Sequence, residues 1–239
     1  SNYQPYTTDF DYPQDRGLEP SAEGIIIDPE IGDYYYGDGT DDYPYHIATG
    51  EQLAKMIIEN CTQQLAENLN AEQKSFLMVA DIYLNDVNDP DWTSQDNKEA
   101  HNWVGADYRY GFRGHFNGDG HIVYGLRLVG PIDYAITGLI PVISEGAVVE
   151  KVGVVNACMN ITSKVATYAS GIAGYVTYYA NLLGNDAPES LTLSNVEEYG
   201  LTPPIIKECF VYDSYMSAFS AGGIVGGVPA PVIIEDCYF

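Results

Sequence analysis

The stretch IKECFV at residues 206–211 recurs in similar form as IEDCYF at residues 234–239, an offset of 28 residues. A further segment, VEKVGV at residues 149–154, fits the same template of alternating apolar and polar positions. Self-similarity of this kind is the sequence signature of repeat architectures, in which each repeat is one small structural unit. The three segments therefore predict that the second half of the chain is built from successive copies of one unit.

Glycine-containing segments repeat in the same region. SGIAGY at residues 170–175 matches GGIVGG at residues 222–227, and TGLIP at residues 137–141 is a degenerate third copy. The offset between the first two is lengthened by a polar insertion at about residues 181–202. We expect these glycines to mark corners where φ is positive or where two backbones approach closely.

Short strands punctuated by glycine cannot bury an apolar face alone, but stacked copies can bury a continuous core. The sequence therefore predicts an all-β protein, a solenoid of stacked short strands with an N-terminal capping segment that contains one helix. A β-sandwich is the alternative, although it would not need glycines at matching places in successive copies. Two inward ladders are predicted, and their members are Val152, Cys209 and Cys237 in one, and Val149, Ile206 and Ile234 in the other.

Three regions follow from the composition along the chain. Residues 1–30 are an acidic, Tyr- and Pro-rich tail or linker, residues 31–110 are the N-terminal capping region, and residues 111–239 carry the β-helix repeats. Within the capping region, Thr49 and Gln52 form a capping-box pattern that predicts a helix from about residue 50 to 60. The apolar run FLMVADIYL at residues 76–84 predicts a strand, followed by a polar loop to about residue 102.

The charge balance excludes several classes of partner. The chain has 34 acidic and 10 basic residues, a formal net charge of −24. A field of this sign repels phosphate backbones and anionic lipid, which argues against nucleic acid and membrane surfaces. No apolar run approaches the ~18–20 residues that would cross a bilayer, so no membrane insertion is expected.

Candidate metal and catalytic groups have simpler structural explanations. The loop at residues 85–91 offers oxygen ligands of the kind that Ca²⁺ prefers but lacks the EF-hand pattern, and it is expected to be a solvated turn. Asp38, Asp41 and Asp42 are expected to stabilise turns, and His121 to orient its own turn by hydrogen bonding. No aligned set of Asp, Lys or Arg is evident across the repeats. We therefore predict no catalytic residue, no metal site and no cofactor.

The four cysteines match no zinc motif and are too few for a disulfide scaffold. They are expected to be small buried hydrophobes, with a disulfide left open. Their positions are Cys61, Cys158, Cys209 and Cys237.

The tyrosine content is the remaining feature of the sequence that could indicate a binding function, since the chain has 21 tyrosines. An exposed tyrosine offers a flat apolar ring and a hydroxyl, which suit stacking on sugar rings or contacts with proteins. The alternative is that these side chains cover loops and the ends of the fold. The candidate ligand-binding residues, expected to share one flank, are Tyr178, Tyr179, Tyr212 and Tyr215.

The chain also resembles bacterial surface right-handed β-helices built from GLUG-type repeats. The blocks that carry the resemblance, in order, are GDGT at 37–40, PYHI at 44–47, EQL at 51–53, ADIYL at 80–84, Trp103 with Gly105, FRGHFNGDGHI at 112–122 and GL at 125–126. It departs from the pattern in the loop at 85–102, the insertion near 181–202 and Pro141 at a usual glycine position. The resemblance implies a right-handed parallel β-helix at the cell surface. A fold of this kind does not by itself specify a function.

Three functions are therefore compatible with the sequence. The first is an extracellular, cell-surface or secreted binding or adhesion module, with carbohydrate or a surface protein as its partner and no catalysis. The second is a glycan-active β-helix enzyme or its accessory domain, and the third is a structural spacer. A monomer is expected in each case.

Overall fold

The computed structural model describes residues 19–21, 24–26, 34, 36–61, 73–104, 111–132, 136–162, 167–178 and 191–239. Within these ranges the protein is mostly β, with one α-helix. In the predicted tail, β1 (Glu19–Ser21) and β2 (Gly24–Ile26) pair as an antiparallel hairpin. The strands that follow pair in parallel.

The N-terminal part places the helix beside the first parallel strands. After β3 (Tyr45–Ile47) comes α1 (Gly50–Asn60). The Gln52 backbone N–H donates to Thr49 Oγ1 over 3.1 Å, and the Thr49 N–H donates to Gln52 Oε1 over 3.2 Å. These reciprocal bonds satisfy donors that an uncapped helix would leave free. The predicted capping box and helix bounds are confirmed.

The remaining strands are short, mostly of three or four residues. Their bounds are β4 (Ser75–Met78), β5 (Ile82–Tyr83), β6 (His115–Asn117), β7 (Ile122–Tyr124), β8 (Arg127–Gly130), β9 (Ile136–Thr137), β10 (Ile140–Ile143), β11 (Val148–Glu150), β12 (Gly153–Val155), β13 (Cys158–Ile161), β14 (Tyr168–Ser170), β15 (Ala173–Val176), β16 (Ile205–Lys207), β17 (Phe210–Tyr212), β18 (Tyr215–Ser217), β19 (Ser220–Gly222), β20 (Val225–Gly227) and β21 (Ile233–Glu235). A 3₁₀ helix spans Val196–Tyr199.

Among the described residues these strands form five separate parallel sheets. Their orders are β21-β16-β11-β6-β4-β3, β17-β12-β7-β5, β18-β13-β8, β19-β14-β9 and β20-β15-β10. The chain visits the five sheets in the same order three times, and we call each visit a pass: β6–β10, β11–β15 and β16–β20. Each sheet therefore receives one strand from each pass.

The register agrees with the sequence alignment. Val149 pairs with Ile206, and Ile206 pairs with Ile234. In the glycine-containing segments, Ala173 pairs with Val225, as the alignment of SGIAGY with GGIVGG predicts. In the predicted inward ladder Val149 and Ile206 are fully buried, whereas Ile234, on the last strand of the sheet, is 45% exposed. The alignment of repeats is confirmed wherever these strands pair.

The core lies between the sheets and is lined by one side of each strand. Its largest side chains with almost no exposure are Trp103, Phe76, Phe112 and Phe116. The Trp103 indole Nε1–H donates to the Leu139 carbonyl over 3.3 Å, which satisfies the one polar group that this ring buries. Because apolar burial is continuous from the helix to the third pass, it supports every strand that carries the site described below.

One expectation needs correction. The run at residues 76–84 is not one strand: β4 and β5 belong to different sheets, with a corner between them. Of the two roles expected for the repeat glycines, close approach is the one observed, since a Cβ on Gly174 would lie 2.5 Å from the Thr137 carbonyl oxygen. At many corners the positive φ belongs instead to polar residues, among them Lys151, Asn156, Glu208 and Asp213.

The cysteines are free thiols. Three are buried as predicted, and Cys237 is half-buried. Burial raises the pKa of Cys61 and of Cys209 to about 12, so these thiols are protonated and unreactive at neutral pH. In the part of the chain that the structure describes, no helix has the length and apolarity to cross a membrane.

Candidate functional site: an aromatic face on the second parallel sheet

The second parallel sheet presents an aromatic outer surface. In β5, β7, β12 and β17 the inward residues Ile82, Val123, Val154 and Val211 are at most 1% exposed. Side chains alternate along a strand, so the residues on either side of each point outward. The pairing aligns these outward residues in a ladder, the tyrosine ladder, whose members are Tyr83, Tyr124, Val155 and Tyr212.

Two members of the tyrosine ladder stack directly. The ring centroids of Tyr83 and Tyr124 lie 4.6 Å apart, with an angle of 7° between the ring planes. Burial raises the pKa of both phenols, and the nearby Asp81 carboxylate adds to the increase. Both hydroxyls are therefore protonated donors at neutral pH. Tyr212 at the far end of the ladder is 66% exposed.

A second ladder runs beside the first and adds two more rings. Phe210 and Tyr238 stack with centroids 5.2 Å apart and ring planes inclined by 6°. Gly153 precedes Phe210 in this ladder, and a Cβ there would lie 2.2 Å from Phe210 Cζ. The absence of a side chain at Gly153 therefore lets the Phe210 ring lie over the second pass. Together the two ladders form what we call the aromatic face.

Polar groups border the aromatic face at both corners. On one side Asp81 Oδ1 lies 3.1 Å from His121 Nδ1 and accepts the Ile122 backbone N–H over 3.0 Å. On the other side the Asn156 Nδ2–H donates to Asp213 Oδ2 over 2.9 Å. His121, Asn156 and Asp213 directly adjoin outward residues of the sheet in sequence, and Asp81 precedes the inward residue Ile82. The arrangement offers flat apolar surface with hydrogen-bonding groups at its rim, which is the chemistry that a sugar requires.

Three of the four tyrosines predicted as ligand-binding residues lie among the described residues, and these three are on different parts of the surface. Tyr212 lies on the aromatic face, and Tyr215, which is 57% exposed, begins β18 in the next sheet. Tyr178 follows β15, is half-buried against the core, and donates its hydroxyl to the Pro231 carbonyl over 2.8 Å. Its ring and hydroxyl are thus used within the protein, contrary to expectation. Tyr179 lies outside the described residues.

An ionic cluster occupies the outer surface of the first parallel sheet. Glu150 Oε1 lies 2.7 Å from His115 Nε2, and Glu150 Oε2 lies 3.1 Å from Lys207 Nζ. Burial acts to raise the pKa of the Glu150 carboxyl, but the hydrogen bonds and charges of His115 and Lys207 outweigh it, and the pKa is lowered. Both oxygens are engaged by neighbouring passes, so the cluster joins three passes together.

This cluster includes an aligned column of charged residues that the expectation, limited to sets of Asp, Lys or Arg, did not cover. Glu150 pairs with Lys207, and Lys207 with Glu235. The signal was present, because these residues stand in equivalent positions of VEKVGV, IKECFV and IEDCYF. The same alignment also places Phe210 and Tyr238 in one column. Tyr83 and Tyr124 carried no comparable signal, since no repeat motif connects their strands to the template.

The acidic turns bind their own backbone. Asp38 Oδ1 accepts the Thr40 hydroxyl over 2.7 Å and the Thr40 N–H over 3.0 Å, which lowers the pKa of Asp38. In the loop, Asp86 Oδ1 accepts from Asn88 N–H and Asp89 Oδ1 from Asp91 N–H, both over 2.9 Å. These are the predicted turn-stabilising roles. Among the described residues, no three His, Cys, Asp or Glu side chains are grouped to hold a metal ion.

The chain was compared with protein-family models, curated proteins and solved structures. No protein-family model and no curated protein matches the chain. The crystal structure of a Bacteroides ovatus protein described as a "putative immunoglobulin A1 protease" is similar over 86% of this chain, with 18% sequence identity and a TM-score of 0.43. The chain spans 60% of the length of that protein.

Proposed function

We propose that the chain is an extracellular binding or adhesion module, carbohydrate-directed and non-catalytic, built as a right-handed parallel β-helix. The architecture is supported by three passes through the same five parallel sheets in constant order. Membership of the GLUG-type repeat family and a place at the cell surface or in secretion belong to the same proposal. They rest on the sequence blocks described above.

The observation that carries the binding function is the tyrosine ladder. Aromatic rings that stack on one another and remain partly open to solvent form a platform on which the apolar face of a sugar can lie. Ligand sites generally combine such apolar surface with a few convergent polar groups. Here those groups are Asn156 and Asp213 on one rim and Asp81 and His121 on the other.

The charge of the protein narrows the ligand class. A net charge of −24 repels polyanions, and acidic residues stand at both rims of the aromatic face. Neutral glycans are therefore favoured over uronate- or sialate-rich ones. The ionic cluster around Glu150 does not favour catalysis, because both carboxylate oxygens already accept from His115 and Lys207.

A glycan array with simultaneous detection of released product tests the proposal. The purified protein should be retained on at least one neutral glycan class without product release. Tyr212→Ala should abolish retention, whereas Phe219→Ala, which removes a ring that is 75% exposed outside the second sheet, should not. Product release would instead support the glycan-active enzyme. Failure to bind any glycan on the array would support the spacer or a protein-binding adhesin.

A further inference from the structure

The tyrosine ladder is interrupted at one position. Val155 stands between Tyr124 and Tyr212, in register with both. Adjacent strands are about 4.8 Å apart, so the attachment points of these two tyrosines are separated by about 9–10 Å. The Tyr83–Tyr124 stack shows that rings on this surface pack with centroids 4.6 Å apart. The interruption therefore leaves room for one additional flat ring.

The surroundings give this gap a floor, two ends and two sides. We call it the Val155 slot. Val155 forms its half-buried apolar floor, and Tyr124 and Tyr212, the residues in register with Val155 on the two adjacent strands, stand at its ends. Phe210, whose ring lies over Gly153, stands on one side. On the other side the Asn156 amide is hydrogen-bonded to the Asp213 carboxylate over 2.9 Å.

We propose that the Val155 slot binds a single pyranose ring of a neutral glycan, sandwiched between Tyr124 and Tyr212. This inference rests on the proposed carbohydrate-binding function and names the ligand class of the same site. A ring held between two aromatic faces must itself be apolar on both faces. A pyranose with all substituents equatorial, of the glucose type, meets this requirement, because its C–H bonds point to both faces and its hydroxyls point outward along the ring edge.

An axial hydroxyl would be disfavoured for a definite reason. It would point at one of the two tyrosine rings and lose its hydrogen bonds to water without replacement. Equatorial hydroxyls instead reach the rim, where the Asp213 carboxylate can accept and the Asn156 amide can donate or accept. The slot therefore discriminates between glucose-type and galactose-type rings.

One substitution at the floor and one control outside the slot test the proposal with neutral oligosaccharides of matched length. Val155→Phe places a ring in the gap and should weaken binding of a β-linked glucose oligomer at least tenfold in titration calorimetry. Phe219→Ala removes an exposed ring outside the second sheet and should stay within about threefold of the wild type. The corresponding galactose oligomer should bind the wild type at least tenfold more weakly than the glucose oligomer.

Several outcomes would overturn the slot while leaving the proposed function intact. One is Val155→Phe binding the glucose oligomer as tightly as the wild type while Tyr212→Ala loses binding, since the ligand would then lie on the open face. Competition by a phenylalanine-containing peptide at equal affinity would assign the slot to an aromatic side chain. Wild-type protein that binds no glycan at all would refute the proposed function itself. Val155→Leu provides a smaller filling residue should the Phe variant fail to show a wild-type thermal transition.

Discussion

At the scale of single residues, left-handed backbone conformations recur at the corner between the first and second parallel sheets. Lys151, Glu208 and Asp236 have φ values of 54°, 53° and 48°. They occupy equivalent positions, each directly after a strand of the first sheet. A left-handed conformation costs an ordinary L-residue about 1–2 kcal/mol, whereas Asn and Asp adopt it more readily. Glu208 and Lys151 are thus suboptimal residues for their backbone.

Replacing Glu208 by Asn should stabilise the protein relative to Glu208→Gln by about 0.5–1 kcal/mol, because only Asn favours the left-handed region. Both substitutions remove the same negative charge, so their difference isolates the backbone preference. Urea denaturation measures it. Equal free energies of unfolding for the two variants would show that the corner imposes no strain.

A second prediction at the same scale concerns the Glu150 carboxylate. Its pKa in the folded protein is lowered, so its stabilising contribution is fully present above the ordinary pKa near 4.5 and is lost as the pH falls through the folded value. Glu150→Gln should cost about 1–3 kcal/mol at pH 7, since it removes a charged acceptor from His115 and Lys207.

The cost of Glu150→Gln should shrink as the pH falls below about 4.5, because the carboxyl of the unfolded wild type takes up a proton first and the folded carboxyl follows at its lowered pKa. Urea denaturation at a series of pH values measures this trend. Glu197→Gln on the exposed 3₁₀ helix is the matched control and should change stability little at any pH. A cost for Glu150→Gln that does not vary with pH would contradict a stabilising role for the ionised Glu150 carboxylate.

At the scale of elements, the packing of β17 over β12 depends on a missing side chain. A Cβ on Gly153 would lie 2.2 Å from Phe210 Cζ, so Gly153→Ala must displace the ring. We expect a cost of about 1–3 kcal/mol, as for other overpacked sites. In a Phe210→Ala background the same substitution should be nearly neutral.

This double-mutant cycle isolates the contact between the two strands, because each single substitution removes one partner. Thermal unfolding provides the readout. If Gly153→Ala costs the same in both backgrounds, the Phe210 ring does not lie over Gly153, and the side wall of the Val155 slot is absent.

Some elements carry local sequence patterns that predict where they begin, and others do not. The capping box at Thr49 and Gln52 fixes the start of α1 through two specific hydrogen bonds, and its residues are recognisable by spacing alone. The corner between β4 and β5 has no such signal. Residues 76–84 are apolar apart from Asp81, and a mostly apolar run predicts burial without showing where the chain turns.

At the scale of the whole molecule, the repeats predict the pairing of the second and third passes correctly. Val149, Ile206 and Ile234 align because their segments keep one pattern of apolar and polar positions. Only part of the aromatic face could be predicted in this way, because the alignment places Phe210 with Tyr238 but does not reach Tyr83 and Tyr124. Tyr124 reaches Val155 and Val155 reaches Tyr212 over different chain lengths, because loops and the insertion separate the passes unequally, and no fixed period brings these residues together.

The most direct test of the aromatic face is hydroxyl-radical footprinting with mass spectrometry, with and without a glycan retained on the array. If the aromatic face is the binding site, we expect the glycan to slow oxidation of Tyr212 and Tyr124. Tyr43 and Phe219, which are 58% and 75% exposed outside the second sheet, should be oxidised at an unchanged rate. Protection of Tyr43 or Phe219 with no change at Tyr212 would contradict the assignment of the aromatic face as the binding site.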